Sequence, residues 1–311
     1  MELYDLIILG GGAAGLSAAQ YGARANLKTL VIEEMAHGGQ ALLIDKLENY
    51  PGLPEPVDGY AWSETMRAQA EGFGASFMSS TVSAVRKEGD LFVIETGDGQ
   101  LSAKAVIAAT GAKHRHLGAK GEEELAGRGV SYCATCDGPF FKGKRMIVVG
   151  GGDAACDEAM FLSKLADKVI MVHRKDRFRA QKAVAARVLS NPRIEVRFET
   201  VVEEIKGEKS VAAAALRNLK SGEVGDEPAS AVFVFVGSIP QTGSLPAELK
   251  KDDSGSILTD DRMETSIAGL FAAGDVRSTP FRQVITAVSD GAVAAHCAAQ
   301  YIDGIEGKAY L

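Results

Sequence analysis

Twice in this chain a short apolar run ends in three consecutive glycines and opens into a stretch rich in alanine. Asp5-Leu6-Ile7-Ile8-Leu9 leads into Gly10-Gly11-Gly12-Ala13-Ala14-Gly15, and Arg145-Met146-Ile147-Val148-Val149 leads into Gly150-Gly151-Gly152-Asp153-Ala154-Ala155. Each apolar run has the length and composition of a strand buried on both faces. Residues 16–25 and 157–165 carry small and apolar side chains at helical spacing, and second strand-like runs follow at 28–32 and 168–172. Strand, glycine turn, helix and strand make a βαβ unit, which needs a parallel sheet covered by helices. The predicted fold class is α/β, with two Rossmann-like dinucleotide-binding domains.

The glycines have separate tasks. Gly10 permits a tight turn, Gly12 lets the backbone approach a pyrophosphate, and Gly15 allows close packing of helix on strand. Free N–H groups and the dipole at the helix start favour the phosphate anion. Glu33 stands 23 positions after Gly10 (33 − 10), where a ribose hydroxyl needs an acceptor. In the second unit Gly150, Gly152 and Ala155 hold the fingerprint positions. At the same offset (150 + 23 = 173) the chain reads His173-Arg174-Lys175-Asp176-Arg177-Phe178-Arg179. A basic cluster in place of the ribose acid fits a 2′-phosphate, so the second cofactor is expected to be NADP(H) rather than NAD(H).

Between the two loops lies Cys133-Ala134-Thr135-Cys136. A Cys-x-x-Cys pair is half a zinc site or a redox dithiol. Zinc wants four ligands, and the chain has no second such pair. Cys156 and Cys297 fall in helical stretches and are expected to be small buried residues. No metal is expected. Thiolate is the nucleophile, and a spacing of two residues lets one cysteine resolve a mixed disulfide made by the other. Asp137 follows Cys136 directly; a carboxylate beside a thiolate has its pKa raised by the like charge, which suits general acid work.

The 311 residues suffice for two domains, and 46% apolar with 24% charged residues is ordinary globular composition. A net charge of −7 argues against nucleic acid and anionic membrane surfaces. The first residues show no export signal, and no apolar stretch approaches the roughly 18 residues of a membrane span. Four cysteines in such a chain do not form a disulfide framework, so a cytoplasmic location is expected. Elsewhere, residues 81–96 alternate as crossing strands do, and 231–236 is a buried-type strand. Pro51, Pro54 and Pro56 mark a loop, and the run Ala212–Ala215 is expected to be packing. Leu270-Phe271-Ala272-Ala273-Gly274-Asp275 is a strand ending in a carboxylate that can accept from a ribityl hydroxyl, with a helix expected over about 285–300. Trp62 and the phenylalanines are expected in the core. His37, His114, His116 and His296 show no catalytic pattern.

Taken together, these motifs resemble the low-molecular-weight bacterial thioredoxin reductases, flavoproteins of the pyridine nucleotide-disulfide oxidoreductase superfamily. The matching stretches run from Gly10–Gly15 through Gly38-Gly39-Gln40, Glu48–Gly52, Ala109-Thr110-Gly111-Ala112 and Cys133–Gly138. They continue with Gly150–Ala155, His173–Ala180, Gly274-Asp275-Val276 and Arg282-Gln283. The resemblance implies an FAD domain of residues 1–114 and 242–311, and an inserted NADPH domain of 115–241 carrying the dithiol. It implies FAD contacts from Gly10, Gly12, Ala13, Ala14, Gly15, Glu33, Glu34, Gly39, Gln40, Asn49, Ala109, Thr110, Gly111, Gly274, Asp275, Arg282, Gln283 and Val284. NADPH contacts are implied from Gly150, Gly152, Asp153, Ala154, Ala155, His173, Arg174, Lys175 and Arg179. Lys175 stands where the family usually has a second arginine. Cys136 is implied as the sulfur beside the flavin, Cys133 as its partner and Asp137 as the acid. The implied activity is electron transfer from NADPH through FAD and the dithiol to thioredoxin, in a homodimer. Related flavoproteins serve a glutaredoxin-like or peroxiredoxin partner, or take electrons from NADH or ferredoxin, and a flavin redox sensor without turnover is a further alternative.

Overall fold

The computed structural model describes residues 2–44 and 46–308. The chain divides into two compact units, Met1–Lys113 with Ile239–Leu311 and His114–Ser238.

The first unit opens with β1 (Glu2–Leu9), α1 (Ala13–Arg24), β2 (Thr29–Glu33), α2 (Gly59–Gly72) and β3 (Ser76–Ser79). It continues with β4 (Val82–Glu88), β5 (Leu91–Thr96), β6 (Gly99–Ala108) and β7 (Ala112–His114). The chain then builds the second unit from β8 (Val130–Ser131), α3 (Ala134–Asp137), β9 (Arg145–Gly150), α4 (Asp153–Leu165) and β10 (Lys168–Val172). This unit is completed by α5 (Lys182–Ser190), β11 (Ile194–Arg197), β12 (Thr200–Lys206), β13 (Ala213–Asn218), β14 (Val224–Pro228) and β15 (Ala231–Phe235). The return brings β16 (Ser238–Pro240), β17 (Leu270–Ala272) and α6 (Val284–Ile305).

In the first unit the sheet runs β3-β2-β1-β6-β5-β4. The ten-residue β6 divides one edge between two partners: Gly99–Ala103 pair antiparallel with β5, and Val106–Ala108 pair parallel with β17. Both faces of β1 are covered over Leu6–Leu9, which is why that half reads as an unbroken apolar run. Leu6 and Ile8 pack with Val31, Ile107, Ala18 of α1 and Ala294 of α6. Ile7 and Leu9 face the opposite side with Ile32, Val106, Leu249 and Ile257. Helices α1 and α6 pack through small residues; a Cβ on Gly291 would stand 2.1 Å from the Ala14 carbonyl oxygen.

The second unit is a parallel sheet, β11-β10-β9-β15-β8, beside an antiparallel sheet, β12-β13-β14. Ile147, Val149, Ile170 and Val232 pack against Val202, Ile205, Ala214 and Leu216 of that antiparallel sheet. Met146, Val148, Met171 and Phe233 pack against Ala155, Ala159 and Leu162 of α4 and Val188 of α5. The layers are therefore meander, parallel sheet and helices, the three-layer ββα arrangement.

Differences from the sequence reading have physical causes. β1 begins at Glu2 because Glu2–Tyr4 pair with Leu101–Ala103 of β6. α1 begins at Ala13, inside the glycine loop, and α6 extends to Ile305. α2 lies outside the helices that the sequence predicts, although Asp58 caps it by accepting from Ala61 N at 2.8 Å and Trp62, Met66 and Ala70 follow at four-residue steps. The alanine run contributes to β13, where Ala214 and Ala215 are buried. Trp62 is buried, but the phenylalanines are not uniformly core: Phe73, Phe281 and above all Phe140, 83% exposed, reach solvent. Among the described residues no helix is long and apolar enough to cross a membrane.

One buried ion pair fixes the segment that carries Asp275. Asp290 of α6 accepts from Arg277 Nε at 2.7 Å, Arg277 Nη2 at 3.1 Å and Gly274 N at 3.1 Å. Truncation leaves the half-buried Arg277 guanidinium with Thr259 and Ser278 but without its counter-charge. The Asp290→Ala variant is expected to lose about 1.5–3 kcal/mol, the range for hydrogen bonds to charged groups, read as a lower denaturant midpoint.

Candidate functional site

The first glycine loop is held against its neighbours by backbone contacts that leave no room for side chains. A Cβ on Gly15 would meet the Gly10 carbonyl oxygen at 1.9 Å, and one on Gly10 would meet the Ala109 oxygen at 2.4 Å. Gly38 N donates to Gly11 O at 2.7 Å, and Gly274 lies against Ala14. The structure thus brings residues 10–15, 38–39, 109–111 and 274 together. A Cβ on Gly12 would have nothing nearer than 3.9 Å, and α1 begins without a side-chain cap. Open backbone at an uncapped helix start fits a pyrophosphate.

The remaining candidates of this unit divide by how they are engaged. Glu33 accepts from Gly11 N at 2.7 Å and from Met35 N at 3.0 Å, while Glu34 is exposed. Gln40 donates to Ala112 O at 3.1 Å, and the Thr110 hydroxyl donates to Gln241 O at 2.6 Å. Asn49 donates to the Gln283 side chain at 2.9 Å; Gln283 in turn caps α6, leaving Val284 in its first turn. Arg282 Nη2 donates to Ser256 Oγ at 3.2 Å. Burial pushes the Asp275 carboxyl up, against the pull of Arg282. His37 was given no role in the sequence, yet its Nδ1 lies 2.6 Å from where a Cβ on Gly11 would stand and is buried without a protein partner. No sequence signal announces it: His173 occupies the same place over Gly151, with ring atoms 2.4 Å from that glycine's missing Cβ, yet it follows Gly150 by 23 positions where His37 follows Gly10 by 27.

The second loop repeats the cradle. α4 also begins without a side-chain cap, and a Cβ on Gly150 would meet the Phe235 oxygen at 2.4 Å. The basic segment lies along this loop because Arg179 N donates to Gly151 O at 2.7 Å and Gln181 N to Asp153 Oδ1 at 2.7 Å. Arg179 Nη2 approaches within 3.7 Å of the missing Cβ of Gly152. Burial holds the His173 pKa down, and the cations of Arg174, Arg179 and Lys175 lower it further against a backbone hydrogen bond that raises it. Arg174, Lys175 and Arg179 are exposed, Ala154 lies on the surface of α4 and Ala155 is buried beneath it. Exposed cations beside an uncapped helix suit a phosphate monoester.

Cys133 and Cys136 form a disulfide, with Cα atoms 5.4 Å apart. Cys133 caps the short α3: its Sγ accepts from Cys136 N at 3.1 Å and its carbonyl from Asp137 N at 3.2 Å. An N–H aimed at Sγ favours the thiolate once the bond opens. Cys136 is exposed and Cys133 half-buried. Asp137 lines a cavity of ≈ 180 Å³ with Ser131, Phe140 and Phe141. Among the described residues no group of three or more His, Cys, Asp or Glu could hold a metal.

Two glycine cradles and a disulfide define the class. The chain belongs to the pyridine nucleotide-disulphide oxidoreductase family, whose profile matches residues 4–291. It is similar to the thioredoxin reductase of Treponema pallidum (strain Nichols), at 57% identity over 303 residues covering 97% of this chain and 98% of that protein. Among solved structures it is similar to the thioredoxin reductase of Lactococcus lactis, with a TM-score of 0.94 and 41% identity over 97% of this chain and 99% of that one. The T. acidophilum thioredoxin reductase matches at a TM-score of 0.93 and 35% identity, over 98% and 100% of the two chains.

The four cysteines differ in reactivity. Cys156 is buried and its thiol pushed up to about 12, chiefly by burial; burial raises Cys297 as well. After reduction, the native protein is expected to take two iodoacetamide labels at pH 8, on Cys133 and Cys136, and four when unfolded. Intact-mass spectrometry reads the count.

Proposed function

We propose that this chain is an NADPH-dependent thioredoxin-disulfide reductase that carries electrons through FAD and the Cys133–Cys136 pair. The observation that carries this reading is a solvent-facing disulfide in the same unit as an uncapped helix start bordered by Arg174, Lys175 and Arg179. Glycine cradles with uncapped helices fit both dinucleotides, and similarity to thioredoxin reductases over nearly the whole chain supports the acceptor.

When bound, FAD and NADPH supply the two-electron transfer chemistry. In the first unit, Gly10, Gly12, Ala13, Ala14 and Gly15 would hold the FAD pyrophosphate, and Glu33 its ribose. Ala109–Gly111, Gly274, Asp275 and the α6 start at Gln283-Val284 would hold the rest. In the second unit, Gly150, Gly152, Asp153, Ala154 and Ala155 would hold the NADPH pyrophosphate, with His173, Arg174, Lys175 and Arg179 about the 2′-phosphate.

Opening the Cys133–Cys136 bond takes two electrons and two protons, and Asp137 stands beside Cys136 to hold and pass a proton. One thiolate then attacks a sulfur of oxidised thioredoxin, forming a mixed disulfide and releasing that protein's other sulfur as a thiolate. The second cysteine attacks the mixed disulfide, restoring Cys133–Cys136 and freeing the reduced partner. Phe140, four residues after Cys136 and 83% exposed, offers that partner an apolar surface. The protein is read as a homodimer in the reducing cytoplasm, where a thiol pair is oxidised only through turnover.

Anaerobic titration of the FAD-loaded protein tests the electron path. Stoichiometric NADPH is expected to bleach the flavin, and oxidised thioredoxin to restore the colour. Bleaching by dithionite but not by NADPH would sink the donor assignment, and bleaching without turnover would favour a sensor. Cys136→Ser is expected to bleach normally yet fail to reduce thioredoxin. Arg179→Ala is expected to raise KM for NADPH about tenfold at unchanged kcat, with NADH unaffected, as loss of one charge-assisted hydrogen bond predicts.

A further inference from the structure

Tyr132, the residue before Cys133, belongs to a network that the reaction above does not use. Its anchor is Glu122, only 1% exposed, although carboxylates are seldom buried without partners. Glu122 accepts from Leu117 N at 2.8 Å, Gly118 N at 2.6 Å and the Tyr132 hydroxyl at 2.8 Å. The same hydroxyl lies 2.9 Å from His116 Nδ1. A phenol has one proton, which Tyr132 donates to Glu122, so the hydroxyl's contact with His116 needs Nδ1–H as the donor. Burial, and then the bond to Glu122, push ionisation of the phenol up, so it remains the donor. The ring stacks on His114, with centroids 4.2 Å apart and planes 8° apart.

The main chain on either side of Tyr132 is held as well. Ser131 pairs with Phe233 of β15, and its hydroxyl accepts from Cys133 N at 3.1 Å. When the disulfide opens, Cys133 loses its covalent tie to Cys136, and these tethers remain. We propose that Tyr132, clamped by Glu122 and His116, is a positioning residue that keeps Cys133 within reach of Cys136 while the bond between them is open. Holding two thiols together raises their effective concentration toward each other, which stabilises the disulfide and speeds resolution of a mixed disulfide. The inference rests on the pair being redox-active.

The test poises the FAD-loaded protein in defined mixtures of reduced and oxidised dithiothreitol. Thiols are trapped by alkylation and counted by mass, a readout that needs neither NADPH nor thioredoxin. Tyr132→Phe keeps the stacked ring and removes only the hydroxyl. It is expected to shift the exchange equilibrium about tenfold toward the dithiol, or ~30 mV for a two-electron couple, with flavin bleaching by NADPH unchanged. Glu122→Gln still accepts from the phenol and is expected to shift the same way by less. A Tyr132→Phe variant that titrates with the unmutated protein would overturn the proposal, whatever its melting temperature. Should that variant not be recovered folded, an unshifted Glu122→Gln overturns it instead. Failure of the unmutated pair to titrate at all would bring down the redox reading itself, and this inference with it.

Discussion

A phosphate held by main-chain N–H groups requires a strand end, a turn free of side chains and a helix start to coincide in space, and this chain meets that requirement twice. Most of the fold serves those two junctions. The Gly10 turn is fixed by Ala109 at the end of β6, and the Gly150 turn by Phe235 at the end of β15, so each loop leans on the neighbouring parallel strand. Strands buried on both faces make that support rigid. Even the middle glycine of each triplet is required, because an imidazole, His37 in one unit and His173 in the other, fills the place of its side chain.

What separates the two cradles lies outside the glycines. Glu33 closes the first with a carboxylate bonded to Gly11 N, whereas a cationic segment pinned by Arg179 N closes the second. The chain carries a net charge of −7, yet the field felt by a dinucleotide phosphate is set by charges within about 8 Å in physiological salt. Location likewise divides identical chemistry among the cysteines: two at a solvent-facing turn are available for exchange, and two in helix interiors are packing.

The parts of this architecture legible in the sequence are those governed by local rules. β10 has the limits that its sequence predicts, 168–172, because an apolar run between a helix and a charge cluster permits little else. The glycine triplets locate both helix starts only to within about a turn: α1 begins at Ala13 rather than 16, and α4 at Asp153 rather than 157. Features decided by tertiary contact were not legible. α2 is only moderately apolar, and its burial depends on Leu47 and Tyr50 from the preceding irregular loop and on Val288 from the last helix, far along the chain. Phe140 looks like core by composition, but the turn after Cys136 faces it outward. The Glu122–Tyr132 bond joins residues ten apart with no periodicity to announce it. Bringing Asp275 beside Arg282 and Asp290 likewise depends on how the last helix packs.

Because residues 114–238 interrupt the first unit, the order in which the parts can be completed is the reverse of their order along the chain. β6 emerges early from the ribosome, but its second partner β17 and the helix α6 that covers α1 come more than 150 residues later (270 − 108 = 162). The inserted unit is continuous and has every strand of its parallel sheet in hand once Phe235 is made. At a synthesis rate of roughly 5–20 residues per second, the nascent first unit waits about 8–32 s with the outer face of β1 and α1 uncovered. Its exposed apolar surface during that interval, rather than the finished protein's, is the surface a chaperone would meet.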